Sequence, residues 1–371
     1  MRSEPSQGAY DSSMLCPSRL VTRGSLLVLL ASCDPDVTVN PTGGGSTGAI
    51  SPAPIGGSPV GGAPITGGAA TEGGANPVGG MGGGGDPQGG GGEAPLPCSE
   101  MVAAPAPFEQ LFGFTSSEDF VFDSLGNYVS IDDNGNLVRI TKAGVKTLWI
   151  PALGFGTAGM AVLPDDSVVF CDVSNGALKR AYPSGTVTTV IGGLNYPNGL
   201  DIGPDGYLYV AEDSGNKLRR VHPDTGVSTI VVNLPGPNGV AFTDDPTVVY
   251  VGSYSYGVIY KVEQPVPGQP GSYTTLVQSN AFAGGGIDGM GVDKCGNIYA
   301  AEFVSGNVYR ILPTGQVTTI ANLPSSWIPN IKWGRGLGGF DTNVMYVADR
   351  SVGSLFGVNV NVEGVDEFFD L

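Results

Sequence analysis

Histidine is nearly absent from this sequence: its 371 residues include only one, His222. HExxH zinc sites and other metal centres built on two histidines need at least one more, so the composition excludes them. A Ser-His-Asp triad would have to use His222 as its base. This residue lies in Val221-His222-Pro223-Asp224, which the repeat pattern described below places in an outer turn of the third unit. We therefore expect His222 to be a surface residue without a catalytic role.

Basic residues are also scarce, with 17 Lys and Arg against 34 Asp and Glu and a formal net charge of -17. Binding to nucleic acid depends mainly on phosphate contacts from cationic side chains. The charge balance therefore predicts that the protein has no nucleic-acid partner.

Cysteine is limited to five positions, and two of them, Cys16 and Cys33, precede the main part of the chain. The other three allow at most one intramolecular disulfide. Cys98, at the entrance to the predicted domain, and Cys295, in a predicted turn, are the favoured pair, although sequence alone does not fix the connectivity. Cys171 follows an apolar run and is expected to be a small buried hydrophobic residue. No CxxC spacing occurs, which argues against a zinc-thiolate site.

The N-terminal segment has the pattern of an export signal. Arg19 and Arg23 precede an apolar run over residues 26–30 that is too short to span a bilayer. The run ends in Leu30-Ala31-Ser32-Cys33, which resembles the bacterial lipoprotein box and implies cleavage before a diacylated Cys33. We predict a signal peptide over residues 1–32, with Met14 as an alternative start. An ordinary secretory signal with an incidental cysteine is the other interpretation.

Glycine is concentrated between the predicted signal and the first repeat, with 22 glycines in residues 41–100. No Lys or Arg occurs in residues 34–97, and such a composition cannot close a hydrophobic core. Residues 33–97 are therefore predicted to be the lipidated cysteine and a disordered Gly/Pro-rich linker, and residues 98–371 a folded domain. The expected location is the cell envelope, as a periplasmic or outer-membrane/surface lipoprotein whose only membrane contact is the lipid anchor.

From Glu118 onward the chain repeats one pattern six times: an apolar strand, a Gly/Asp turn, a β-branched or aromatic strand, a polar turn and two further short strands. Units of about 40 residues with four short strands are typical of β-propeller blades. The sequence thus predicts an all-β fold, a six-bladed β-propeller with four-stranded blades, and a β-sandwich is the alternative. The first turns lie at residues 125–127, 164–166, 204–206, 244–246, 294–296 and 339–341.

One position of the repeat has unusual chemistry. Aligning the six units at their first turns places six residues at the start of the innermost strands: Glu118, Ala158, Asn198, Asn238, Asp288 and Asn330. Innermost strands line the propeller channel, so these side chains should form a ring at one mouth. Two carboxylates and several amides brought together favour a hard cation such as Ca²⁺, which takes oxygen ligands. Individually, the Asn-Gly and Asp-Gly pairs could equally be ordinary turns.

Four segments at this register resemble the signature segments of the senescence-marker-protein/gluconolactonase/luciferin-regenerating-enzyme-like family. The likeness covers nearly all of residues 118–364. It rests on Glu118-Asp119-Phe120-Val121-Phe122-Asp123, Pro197-Asn198-Gly199-Leu200-Asp201, Pro237-Asn238-Gly239-Val240 and Ile287-Asp288-Gly289-Met290-Gly291-Val292-Asp293. The resemblance implies a six-bladed propeller with one divalent cation on its axis, Ca²⁺ by preference, with Mg²⁺, Mn²⁺ and Zn²⁺ as alternatives.

The same resemblance implies roles for single residues. Glu118, Asn238 and Asp288 would be metal ligands, and Asn198 would be a ligand or a substrate contact. In such enzymes the metal polarises a lactone carbonyl, and the aspartate at the position of Asp288 is the proposed base.

The chain departs from the family pattern at two places near this ring. Tyr196 stands where an arginine is usual, and the first segment reads Glu-Asp-Phe instead of Glu-Gly-Pro, which is expected to tighten or tilt the mouth. Glu212 occupies a position at which an acidic residue often contacts substrate, so Tyr196 and Glu212 are candidate substrate-binding residues. The remaining candidates for the same face are expected at its rim or channel: Tyr254, Glu302, Lys332, Arg335, Asp349 and Arg350.

Three functional hypotheses follow. The leading one is a monomeric, metal-dependent cell-envelope hydrolase that opens a lactone or small ester. The second is a non-catalytic NHL-like propeller that binds a protein or glycan, and the third is a propeller whose axial ion is purely structural. Fold alone does not decide between them, because propellers carry many unrelated functions.

Overall fold

Six four-stranded antiparallel sheets make up the protein, as seen in a computed structural model that describes Cys98 and residues 101–154, 156–284, 286–325 and 327–365. These residues lie in the second of two units into which the chain divides, Gly85–Leu371. The predicted signal peptide, Cys33 and nearly all of the predicted linker lie outside the described residues, so these predictions stay untested. The described residues contain no helix with the length and hydropathy of a transmembrane span.

The prediction of a six-bladed propeller is confirmed. Each of the first five blades uses four consecutive strands, with the first strand innermost and each strand paired to the next. The strands of these blades are β2 (Phe120–Phe122), β3 (Tyr128–Ile131), β4 (Leu137–Ile140), β5 (Lys146–Ile150), β6 (Thr157–Val162), β7 (Val168–Asp172), β8 (Ala177–Ala181), β9 (Val187–Gly192), β10 (Pro197–Ile202), β11 (Leu208–Glu212), β12 (Lys217–Val221), β13 (Ser228–Asn233), β14 (Pro237–Phe242), β15 (Val248–Ser253), β16 (Val258–Glu263), β17 (Ser272–Val277), β18 (Ile287–Val292), β19 (Ile298–Glu302), β20 (Asn307–Ile311) and β21 (Val317–Asn322).

The sixth blade joins the two ends of the folded region. Its strands β22 (Ile331–Trp333), β23 (Val344–Asp349) and β24 (Ser354–Asn359) come from the end of the chain, and its outermost strand β1 (Phe108–Phe112) comes from before the first repeat. The β1 and β24 strands pair antiparallel, with Phe108 opposite Val358 and Phe112 opposite Ser354. The repeat pattern predicts four strands within the sixth unit itself. The structure instead closes the ring by pairing segments from the two ends of the domain.

Hydrophobic residues fill the space between neighbouring blades. The cluster between the first and sixth blades, for example, includes Phe120 and Tyr128 from the first and Tyr346 and Leu355 from the sixth. Phe120 stacks on Tyr128 with ring centroids 4.8 Å apart. Both faces of each sheet are covered in this way, which explains why the second strand of each blade is apolar at most positions.

The tight turns between the first and second strands of a blade use aspartate carboxylates. The carboxylate of Asp123 accepts the backbone N–H groups of Leu125 and Asn127, at 3.1 and 2.8 Å. It also pairs with Arg139 on the third strand of the same blade, at 2.8 Å. The second and third blades repeat the ion pair between turn and third strand, as Arg180–Asp165 and Arg220–Asp205. These pairs tie each turn to its own sheet.

A disulfide between Cys98 and Cys295 fixes the N-terminal entry of the domain to the fifth blade. This is the pairing that the sequence favoured. Two backbone hydrogen bonds hold the same segment: Val102 donates to the carbonyl of Val360 and Ala106 to that of Ile320. Cys171 is buried on β7 and forms no disulfide, as predicted.

Candidate functional site

The predicted ring exists as one pocket at the start of the innermost strands. Five of the six predicted positions line it, and the sixth is represented by Gly159, the neighbour of Ala158. The five that line it are Glu118, Asn198, Asn238, Asp288 and Asn330. Because each stands within two residues of the start of its strand, the propeller symmetry brings five different blades to one point. We call this pocket the axial pocket.

A glycine follows the site residue in several blades, and the structure shows why. A Cβ atom on Gly199 would overlap the carbonyl oxygen of Asn238, and one on Gly239 would overlap that of Asp288. From the second to the fifth blade, the backbone of the inner strand therefore touches the site residue of the next blade. This close approach, which only glycine allows, brings the site residues of successive blades together.

Asp288 is a deeply buried acidic group of the axial pocket, with 5% of its surface exposed. Burial raises the pKa of its carboxyl group well above the usual range, and the negative charges of Glu118 and Asp119 raise it further. A hydrogen bond from the Asn238 side chain and the positive charge of Arg350 act in the opposite direction. The ionised form of Asp288 is therefore disfavoured in this pocket unless a cation lies beside it.

The carboxylate of Glu118 is paired with an arginine side chain from the sixth blade. The guanidinium Nη1 of Arg350 forms an ion pair with Oε2 of Glu118. Burial raises the pKa of Glu118, and the charge of Arg350 lowers it. Arg350, which sequence reasoning placed only at the rim, is thus in direct contact with a predicted metal ligand.

Asp119 is a site residue whose role the sequence did not predict. It is buried, and its two carboxylate oxygens accept the backbone N–H groups of Phe120, at 2.6 Å, and Met160, at 2.5 Å. Met160 lies on the inner strand of the second blade, so Asp119 clamps the first two blades together beside the pocket. The only sequence signal for this contact was the departure Glu-Asp-Phe from the family pattern.

The residues of the axial pocket fit a hard divalent cation. The candidate set has two carboxylates, Glu118 and Asp288, and two amides, Asn198 and Asn238, and Ca²⁺ prefers oxygen ligands of these kinds. A buried carboxylate beside a second one is costly unless a proton or a cation offsets the repulsion. The described residues contain no group of three or more His, Cys, Asp or Glu placed to hold a metal ion, so amide oxygens would have to complete the ligand set.

Glu212 is placed outside the axial pocket lining. It ends β11 and is buried, and its oxygens accept the Arg219 Nε at 2.7 Å and the Asn195 backbone N–H at 2.8 Å. Glu302 and Asp349 end the second strands of their blades in the same way and accept hydrogen bonds from the third strands, from the hydroxyl groups of Tyr309 and Ser354 respectively. These carboxylates are engaged inside their own blades, and a substrate contact by Glu212 stays a prediction.

The other predicted positions divide between the pocket and the surface. Lys332 lines the axial pocket, and Arg335 donates to the carbonyl of Phe122 at 3.3 Å. Tyr196 and Tyr254 are partly exposed. Burial raises the pKa of both phenols, and the negative charges of Glu118 and Asp288 raise it further, which indicates that both side chains lie near the pocket. His222 lies against Tyr207 in an outer turn and is absent from the pocket lining.

The fold and the axial pocket define a six-bladed β-propeller with a buried acidic site on its axis. Residues 209–349 match the family model described as the SMP-30/gluconolactonase/LRE-like region. The predicted resemblance is therefore confirmed over these residues, which include the signature segments that begin at Pro237 and Ile287.

Among curated proteins, 6-deoxy-6-sulfogluconolactonase of Pseudomonas putida is 30% identical over 141 residues, which cover 34% of this chain and 47% of that protein. The match thus spans about half the length of that relative. A gluconolactonase from Xanthomonas campestris has a TM-score of 0.59 at 19% identity and covers 70% of this chain and 89% of its own. Regucalcin from Agrobacterium tumefaciens, described as a calcium-binding protein, has a TM-score of 0.57 at 20% identity and covers 73% and 100%. These two structures support the fold alone.

Proposed function

We propose that this protein is a divalent-cation-dependent hydrolase that opens a lactone or a related small ester in the axial pocket. The observation that carries the proposal is the convergence of Glu118, Asn198, Asn238 and Asp288 in one pocket. The match of residues 209–349 to the SMP-30/gluconolactonase/LRE-like region and the sulfogluconolactonase relative support a lactone as substrate class.

Four pocket residues have a part in this reaction. Glu118, Asn238 and Asp288 would hold the cation, with Ca²⁺ the first candidate and Mg²⁺, Mn²⁺ and Zn²⁺ the alternatives, and Asn198 would complete the ligand set or contact the substrate. The cation supplies Lewis-acid chemistry that polarises the lactone carbonyl. Asp288 takes the proton of the attacking water and passes it to the ring oxygen as the C–O bond breaks.

The test is calorimetric titration of the purified full chain with Ca²⁺, alongside lactone hydrolysis followed in a pH-stat. We expect one-to-one binding that Asp288→Asn and Glu118→Gln each abolish, together with loss of hydrolysis. Asp133→Asn is the matched control, because it removes an exposed carboxylate from a loop of the first blade. Binding without hydrolysis of any lactone would favour a structural ion, and neither binding nor hydrolysis would favour a non-catalytic binding propeller.

We also propose that the protein is held in the cell envelope by a lipid on Cys33. The support is the sequence pattern of a basic segment, a short apolar run and Leu30-Ala31-Ser32-Cys33. Growth with a clickable palmitate analogue should label the protein, and Cys33→Ser should abolish the label. Labelling that persists in the variant would contradict the proposal.

A further inference from the structure

Exposed apolar side chains border one side of the axial pocket. They belong to loops at the end of the blades where the first strands begin and the second strands end. Between 37% and 63% of the surface of each is exposed. We call these six residues the apolar arc: Tyr196, Tyr254, Tyr256, Val304, Trp327 and Val352. They come from the third to the sixth blade.

The loops between the second and third strands of the first two blades are polar. Between β3 and β4 the chain reads Asp132-Asp133-Asn134-Gly135-Asn136, and between β7 and β8 it reads Val173-Ser174-Asn175-Gly176. Neither of these loops contains an exposed large hydrophobic residue. The same loops of the fourth to sixth blades carry Tyr254, Tyr256, Val304 and Val352, and blade symmetry alone does not account for this difference.

The centre of the apolar arc is held in place by ring and backbone contacts. Tyr254 meets the half-buried Phe303 edge to face at 5.9 Å, and Phe303 lies parallel to Trp327 at 6.3 Å. Backbone bonds follow the same path: Gly286 donates to Tyr254 at 3.2 Å, and Ile328 donates to Phe303 at 3.2 Å. A surface that is already ordered loses little conformational entropy when a ligand binds.

The apolar arc is continuous with the axial pocket. The Arg350 backbone N–H donates to the carbonyl of Trp327 at 2.9 Å, and the guanidinium of the same residue pairs with Glu118 in the pocket. At the other end, the Tyr254 ring lies against Gly286, two residues before Asp288, since a Cβ atom on Gly286 would be 3.2 Å from that ring. A ligand whose carbonyl enters the pocket can therefore extend directly over the arc.

We propose that the apolar arc binds an alkyl chain on the lactone whose carbonyl the axial pocket receives. This inference rests on the proposed function and specifies its substrate class: a lactone with an extended apolar substituent and not a fully hydroxylated sugar lactone. Exposed apolar patches next to a pocket mark binding sites, and aromatic side chains supply most of the contact area in such sites. Each methylene group removed from water adds to the affinity.

The test uses two ketones that cannot be hydrolysed, 2-octylcyclopentanone and cyclopentanone, with tryptophan fluorescence and calorimetry as readouts. We expect the octyl compound to bind at least about tenfold more tightly and to change the emission of Trp327. Trp327→Phe should remove that change, because Trp149 and Trp333 lie elsewhere in the propeller. Tyr254→Ala should weaken binding of the octyl compound several-fold and leave cyclopentanone binding unchanged.

Phe112→Ala is the matched control, since Phe112 is an exposed aromatic residue on the outermost strand of the sixth blade. Equal affinity for the two ketones, or equal weakening by Phe112→Ala and Tyr254→Ala, would overturn the proposal. A change in Trp327 emission with phosphatidylcholine vesicles but not with the octyl ketone would also overturn it and indicate a membrane-contact surface. Tight binding of the octyl ketone without hydrolysis of any lactone would contradict the proposed function and leave the apolar arc as a ligand site.

Discussion

The guanidinium of Arg350, in the sixth blade, forms an ion pair with the carboxylate of Glu118, in the first blade. The pair lies at the junction where the two ends of the propeller meet, beside the buried Asp288. The positive charge of Arg350 is therefore in contact with Glu118, which we propose as a metal ligand. Arg350 and a divalent cation therefore compete for the same carboxylate.

Removing the arginine charge should increase cation affinity. We expect Arg350→Gln to lower the Ca²⁺ dissociation constant several-fold, since a half-exposed ion pair contributes up to about 1 kcal/mol. Calorimetric titration of the variant and the unmodified protein gives the comparison. Lys146→Gln, which removes an exposed charge from β5, should have no effect. Weaker Ca²⁺ binding by Arg350→Gln would show that the arginine supports the site instead of competing for it.

The close approach of inner strands predicts that Gly239 tolerates no side chain. A Cβ atom there would overlap the carbonyl oxygen of Asp288 and force the inner strands apart, which costs roughly 1–3 kcal/mol or more. We expect Gly239→Ala to lower the free energy of unfolding by that amount and to weaken Ca²⁺ binding more than tenfold. Gly192→Ala is the control, because a Cβ atom on Gly192 has no neighbour within 4 Å. Similar losses in the two variants would contradict this explanation.

The repeat made the fold and most of the axial pocket predictable from sequence. Aligning the units at their turns identifies Asn198, Asn238 and Asp288, because each is followed by glycine at one register of an inner strand. Propeller symmetry then requires that residues at one register meet at the axis, so no long-range contact had to be known.

Contacts between blades that the repeat does not share were not predictable. The pairing of β1 with β24 joins residues about 245 positions apart, and neither segment contains a local signal for the other. The bond from Met160 to Asp119 and the ion pair of Arg350 with Glu118 each occur at a single blade junction. The ion pair of Glu212 with Arg219 joins two neighbouring strands within the third blade, and the repeat pattern did not indicate it either.

Glu302 should make the fold sensitive to acid. Burial raises the pKa of this carboxyl group, but bonds from Ser305, Tyr309, the Gly284 N–H and Asn307 outweigh it, so the folded pKa is lower than usual. A lowered folded pKa stabilises the protein above the unfolded value, about 4.3, and this contribution is lost as the pH falls through the folded value.

We expect Glu302→Gln to be less stable than the unmodified protein at pH 7, by about 1–3 kcal/mol. The difference should shrink as the pH falls from 5 to 3, because the native carboxylate then becomes protonated as well. Urea unfolding of both proteins across this range measures it. A stability difference that stays constant over the whole range would contradict a role for the ionised carboxylate.

The disulfide should stabilise the closed ring, because it links residues 197 positions apart and restricts the unfolded chain. A bridge of this kind contributes typically about 2–4 kcal/mol. We therefore expect Cys295→Ser to lower the Tm by roughly 5–10 °C in scanning calorimetry. A phosphine reductant should lower the Tm of the unmodified protein by a similar amount and leave that of the variant unchanged, since Cys171 forms no disulfide. An equal effect of the reductant on both proteins would show that the loss of stability does not come from this bridge.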